Sequence, residues 1–176
     1  MKFGFQESTK LIDEGLKYKF KRPALRPPGA LREEQFLITC TRCGDCRKAC
    51  PHDTIHMVDL LTGGVNSGTP FISAYYSPCR FCEDMPCLQS CKTGALIQEE
   101  DKELRIGTAY VHLKHCLVKQ GQSCDYCFNT CPTGVWAISE HDDKYPVIDA
   151  GKCVGCGKCA YICVSQTGKA ITVEPL

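Results

Sequence analysis

Sixteen cysteines fall into four groups of four in a chain of 176 residues, and none is left over. The first group, "CTRCGDCRKACP", holds Cys40, Cys43, Cys46 and Cys50, with Pro51 behind it. The second, "CRFCEDMPCLQSC", holds Cys79, Cys82, Cys87 and Cys91. In the third, "CLVKQGQSCDYCFNTCP", stand Cys116, Cys124, Cys127 and Cys131; the fourth, "CVGCGKCAYIC", has Cys153, Cys156, Cys159 and Cys163. Cysteine is about 9% of the residues, within the roughly 8–10% that marks a cysteine-framed chain. A chain this short with so many loops buries little apolar surface. Bonds from metal to thiolate can supply the difference, because metal-binding free energy becomes folding free energy when the site is absent from the unfolded chain.

The spacing identifies the chemistry. C-x2-C-x2-C-x3-C-P is the run that holds a [4Fe–4S] cluster in bacterial ferredoxins. Three cysteines on one curled loop cover one face of a cubane, and the fourth, on the helix leaving the loop, serves the other cluster of a pair. Groups one and four keep this cysteine spacing in full. Group two widens its second gap to "EDMP", and group three stretches its first to "LVKQGQS"; both keep the closing C-x3-C. Gly121 gives the longer loop the freedom to bulge outward and still deliver Cys116. A stray role for Cys116 would leave a three-iron cluster, or His115 or water in its place. Structural zinc would use paired C-x2-C knuckles, which these triplets do not resemble. His52, His56, His112, His115 and His141 read as loop or surface residues, and Trp136, Tyr75 and Tyr76 as packing over the clusters.

The segments between groups repeat. "DTIHMVDLLTGGVNSGTPFISAYYSPC", "TGALIQEEDKELRIGTAYVHLKHC" and "TGVWAISEHDDKYPVIDAGKC" each read as two short β-like runs about a turn, and "TGKAITVEPL" as a half copy. "GGVNSG" (63–68) lacks the lysine of a phosphate loop and reads as a hairpin turn. Each C-x3-C end is expected on a short helix. The fold class is therefore α+β.

Composition excludes other roles. With 21 basic and 20 acidic residues the chain is no bulk polyanion binder, so no nucleic acid is expected. No apolar stretch reaches the roughly 18 residues of a membrane span. The N-terminal stretch shows neither an apolar export core nor a twin-arginine pair ahead of one, which points to the cytoplasm, where thiols stay reduced. No nucleophile–base pair and no nucleotide fingerprint is present, so the chain is expected to be no enzyme by itself. Residues 1–35 read as a cysteine-free arm that wraps a partner subunit, with "STKLIDEGLKYKF" as an amphipathic helix and "RPALRPPG" extended.

Over residues 26–176 the chain resembles the four-cluster polyferredoxin subunits of the NapG/MauM type. The likeness rests on "RPPGALREEQFLITCTRCGDCRKACP", the x4 gap of group two, "IGTAYV" and the x7 gap of group three. Lys92 and Val164 stand where the signature has proline. The resemblance implies a tandem of two bacterial-type 2[4Fe–4S] modules holding four clusters. It also implies nested pairing, group one with four and two with three: an outer module of 36–70 plus 142–176 and an inner one of 71–141. One cluster would take Cys40, Cys43, Cys46 and Cys163, and its partner Cys153, Cys156, Cys159 and Cys50. The inner pair would be Cys79, Cys82, Cys87 with Cys131, and Cys116, Cys124, Cys127 with Cys91. Sequential pairing is the alternative, and spacing does not separate the two.

By the same resemblance the chain is an electron-transfer subunit in a hetero-oligomer. Its expected partners are a catalytic tungsten or molybdenum oxidoreductase subunit, of the aldehyde oxidoreductase or benzoyl-CoA reductase type, and a further donor or acceptor. A free-standing polyferredoxin and a zinc-binding interaction module are the rival classes. Arg42, Arg47, Lys48, Lys152 and Lys158 either raise local potentials, form a docking rim for an acidic partner, or are solvated surface charge.

Overall fold

A computed structural model of the chain describes residues 24–98, 103–132, 137–142 and 144–176. Its helices are short and tied to the cysteines. After α1 (Glu33–Thr39), the helices α2 (Asp45–Ala49), α3 (Pro86–Gln89), α4 (Tyr126–Thr130) and α5 (Lys158–Ile162) each carry the third cysteine of a group. Three of them stop where the fourth cysteine, Cys50, Cys131 or Cys163, turns to extended backbone. Pro51 and Pro132 reinforce two of those stops, since a residue before proline disfavours the helical region.

The strands pair within each half of the chain. β1 (Ile55–Met57) pairs antiparallel with β2 (Pro70–Ile72), and β4 (Ile138–Glu140) with β5 (Pro146–Ile148). These are the expected first and third hairpins. The second expected hairpin does not form. Of its two runs, the first meets the N-terminal segment at an antiparallel bridge, Leu96 to Ala30. The second, β3 (Gly107–Val111), pairs with β6 (Ile171–Pro175) over five residue pairs. The physical reason is closure. In each half the strand leaving the second cysteine group pairs with the one that enters the first, so both runs of this segment are used, but in different halves.

Residues 24–35, assigned to a free arm by sequence, are part of the body. Leu25, Arg26, Pro27 and Pro28 are buried, and the Ile72 amide donates to the Leu25 carbonyl at 2.7 Å. Arg26 is the lock. Its guanidinium donates to both Glu33 carboxylate oxygens (2.9 and 2.6 Å), the Thr69 hydroxyl (2.8 Å), the Pro70 carbonyl (2.8 Å) and the Asn66 side chain (2.8 Å). It also lies over the Phe36 ring at 4.6 Å. The expected amphipathic helix falls at residues outside those described.

The halves meet along a narrow seam. The Cys79 amide donates to the Cys156 carbonyl at 3.0 Å, and Lys169 sits over the Tyr75 ring at 4.0 Å. A side chain at Gly157, whose φ is +86°, would strike Ala74 at 2.7 Å, so glycine is what lets the two backbones approach. One apolar core runs through both halves, joining Ile55 and Ile72 to Ala109, Ile138 and Ala160.

Candidate metal centres

A repeated backbone device shapes the cysteine loops. The residue just before the second cysteine is left-handed in groups one, two and four: Arg42 (φ +61°), Phe81 (φ +51°) and Gly155 (φ +74°). A second left-handed residue caps the helix that follows: Gly44, Met85 and Gly157. Two such turns per loop curl the backbone around a common centre and aim its amides inward. The Phe81 amide accordingly points at the Cys79 sulfur (3.4 Å). Group three departs from the pattern, with its left-handed turn at Gly121 inside the long gap (φ +82°). At Gly155 the demand is strict, because a Cβ there would overlap the Gly107 backbone.

Helix packing decides which cysteines meet. α2 packs on α3, and α4 on α5. The fourth cysteine at the end of one helix therefore reaches the loop of the adjacent group. Cys50 lines a cavity with Cys79, Cys82 and Cys87. Cys131 lines another with Cys153, Cys156 and Cys159. Cys163 lines a third with Cys116, Cys124 and Cys127. The cavities thus set Cys163 beside group three, Cys50 beside group two and Cys131 beside group four, which is the sequential order and not the nested one that the resemblance implies. Cys40 and Cys43 stand close enough to Cys46 for their charge to bear on its thiol, and Cys91 lines none of the three cavities.

The donor sets suit a cluster better than a single ion. Each cavity offers about 330–400 Å³ of space, mouth included, with mainly apolar walls such as Val111, Leu117 and Ile171 in the third. Among the described residues no three histidine, cysteine or carboxylate side chains converge on one point as a lone ion requires. Amides are aimed at sulfur elsewhere too: Leu96 to Cys91 (3.3 Å) and Ala109 to Cys153 (3.4 Å). Cys116, buried at the third cavity, stands with its group, and His115 is not in the lining. The His115 ring instead abuts Gly168, and its Nδ1 lies 3.4 Å from the Thr167 hydroxyl.

Burial dominates the thiols. It pushes Cys46, Cys79 and Cys127 up to about 12, Cys87 to about 11 and Cys159 higher still. Such thiols stay protonated until a cation replaces the proton, so metal loading releases protons here. Cys50 and Cys91 run the other way. Burial raises them, but the hydroxyls of Thr54 (3.3 Å) and Thr93 (3.7 Å), with nearby backbone amides, outweigh it and the net shift is downward.

The charged residues divide. Arg42 is exposed but tied down: it donates to the Ser67, Cys40 and Val65 carbonyls. Lys48 and Lys152 pair loosely with Asp45 (4.0 Å) and Asp149 (3.6 Å). Lys158 acts on its site, since its charge and its amide both pull Cys156 down against burial. Tyr75 packs on the core, whereas Tyr76 is 84% exposed and covers nothing; Trp136 lies outside the described residues. Neither left-handed Arg42 nor left-handed Phe81 had a signal in the sequence, while the glycines at 44, 155 and 157 did.

A model of the 4Fe–4S dicluster domain matches residues 122–167, which hold Cys124, Cys127 and Cys131 of group three and all of group four. The ferredoxin-type protein NapG of Escherichia coli is 40% identical over 86% of this chain and 71% of its own length. NapG of Haemophilus influenzae is 38% identical over 98% and 64%. The methylamine utilization ferredoxin-type protein MauM of Methylorubrum extorquens is 38% identical over 83% and 70%.

Proposed function

The chain belongs to the NapG/MauM family of ferredoxin-type iron–sulfur electron-transfer proteins, and on that premise we propose that it holds four [4Fe–4S] clusters in single file. When bound, each cubane takes up and gives back one electron without making or breaking a bond to substrate. The chain's own residues hold, space and shield these sites. The ligand sets are Cys40, Cys43, Cys46 with Cys91; Cys79, Cys82, Cys87 with Cys50; Cys153, Cys156, Cys159 with Cys131; and Cys116, Cys124, Cys127 with Cys163. Each half is then one two-cluster module, built from consecutive groups.

The carrying observation is the sequential gathering of four thiols around each of three cavities. The order of sites follows from which cysteines adjoin. Cys46 feels the charge of Cys87, Cys79 that of Cys156, and Cys159 that of Cys127. The file therefore runs from the Cys43 site through the two seam sites to the Cys116 site.

The test is a pair of substitutions that the two pairings read differently. Cys116→Ala with Cys163→Ala strikes one site under sequential pairing and two under nested pairing. Iron analysis of the purified double variant should give about 12 iron per chain rather than about 8; the lower figure would restore the nested arrangement.

A hetero-oligomer with a catalytic subunit is the arrangement an electron carrier of this family calls for. That the catalytic subunit carries tungsten or molybdenum rests on the resemblance alone, and metal analysis of the co-purified complex decides it. A cytoplasmic setting is supported by the need to keep sixteen ligand thiols reduced during assembly, and cell fractionation tests it. Among the described residues no helix is long and apolar enough to cross a membrane.

A further inference from the structure

One end of the file is open, and an ordered apolar loop stands beside it. Cys43 is the exposed cysteine among the sixteen. The β1–β2 connection, residues 58–69, is much longer than its counterpart in the other half, residues 141–145. It presents Leu60 (75% exposed), Leu61 (94%) and Val65 (60%) to solvent.

These side chains are held, not left to wander. The Asp59 carboxylate accepts from the Leu61 and Thr62 amides and the Thr62 hydroxyl at 2.9–3.0 Å. The Gly68 amide donates to the Val58 carbonyl at 2.9 Å, closing the loop on itself. Arg42, next to Cys43, donates to the Ser67 carbonyl (2.9 Å) and the Val65 carbonyl (3.3 Å), which fastens the loop to the cysteine group. Gly68 sits against both the Leu60 and the Arg42 side chains. Exposed apolar side chains on a preorganised frame mark an interaction site, because their ordering cost has been met before any partner arrives.

Charge selects the partner. Around Cys43, Arg42, Arg47 and Lys48 are exposed, against a half-buried Asp45 and the exposed Asp59 of the loop. The excess is positive, and it adjoins the cysteine group to which the loop is fastened. We infer that the 59–68 loop, together with the rim of Arg47 and Lys48, is the docking face for an electron-transfer protein whose contact surface is apolar with a ring of carboxylates. Electrons then enter or leave at the Cys43 site. This rests on the reading of Cys40, Cys43 and Cys46 as cluster ligands.

The test uses the full chain loaded with clusters and an acidic flavodoxin hydroquinone as the protein reductant, followed by stopped flow. Dithionite serves as the small reductant. Leu60→Asp with Leu61→Asp should slow reduction by flavodoxin by about tenfold or more, and Leu61→Ser alone by about threefold, while dithionite rates stay unchanged. The wild-type flavodoxin rate should fall as salt is raised. Flavodoxin rates within twofold of each other in wild type and variants, fast or slow, overturn the proposal. Iron lost on Leu61→Ser would also overturn it, by making the loop part of the site's structure. Wild-type protein short of about 16 iron would instead count against the cluster reading.

Discussion

At the scale of single residues, threonine hydroxyls distinguish otherwise similar sulfurs. Thr54 is buried and lies 3.3 Å from the Cys50 sulfur, where it opposes the effect of burial on that thiol. A donor to a ligand sulfur stabilises the more negative, reduced form of a cluster and raises its potential. On the ligand sets proposed above, Thr54→Val should therefore lower the potential of the cluster held by Cys50, Cys79, Cys82 and Cys87, by roughly tens of millivolts. Redox titration followed by electron paramagnetic resonance reads it: one couple should move and three stay. The sequence named every cysteine but gave no hint of these hydroxyls, because a threonine four residues after a cysteine is unremarkable until a turn brings the two together.

Among elements, the segment before α1 shows how far pattern reading reached and where it stopped. Proline and arginine in "RPALRPPG" announced a segment outside helix and strand, and residues 24–29 form neither. They did not announce burial, because the partners of Arg26 beyond Glu33 lie 40 and more residues away, at Asn66, Thr69 and Pro70. A guanidinium is seldom expected inside a small core; here all its donors are met and the Phe36 ring covers it. Arg26→Met would keep the length and remove the bonds, leaving Glu33 and Thr69 without their donor. Losing one member of such a buried set costs about 3–5 kcal/mol. Iron release in guanidinium, followed by the loss of visible absorption, should become much faster, with iron content before denaturation unchanged. The short helices and two hairpins were legible from cysteine spacing and turn residues. Strand pairing was not: "ALIQ" and "LRIGTAYVHL" look like one hairpin locally, and only closure of each half sends them to different partners.

For the whole molecule, the described residues of the two halves show the same kinds of element: a hairpin, two packed helices and an antiparallel closure. In the first half the bridge at Ala30 and Leu96 corresponds to the five-pair β3–β6 ladder of the second. The sequential order that the cavities favour has a reason in chain geometry: α2 packs directly on α3, so Cys50 at the end of α2 has group two at hand. The bond from the Cys79 amide to the Cys156 carbonyl joins the halves, between the two middle sites of the proposed file. That bond has a dynamic meaning. If the halves part, it breaks, and on the proposed order of sites the path is severed at its midpoint. The exchange of the Cys79 amide hydrogen for deuterium is thus a direct gauge of breathing at the seam. Exchange there should be slower than at the exposed Cys43 amide and should quicken together with the Ile72 amide only on global opening. Independent, fast exchange at Cys79 would mean that the molecule works as a circuit breaker, conducting only in the fraction of time its halves are shut.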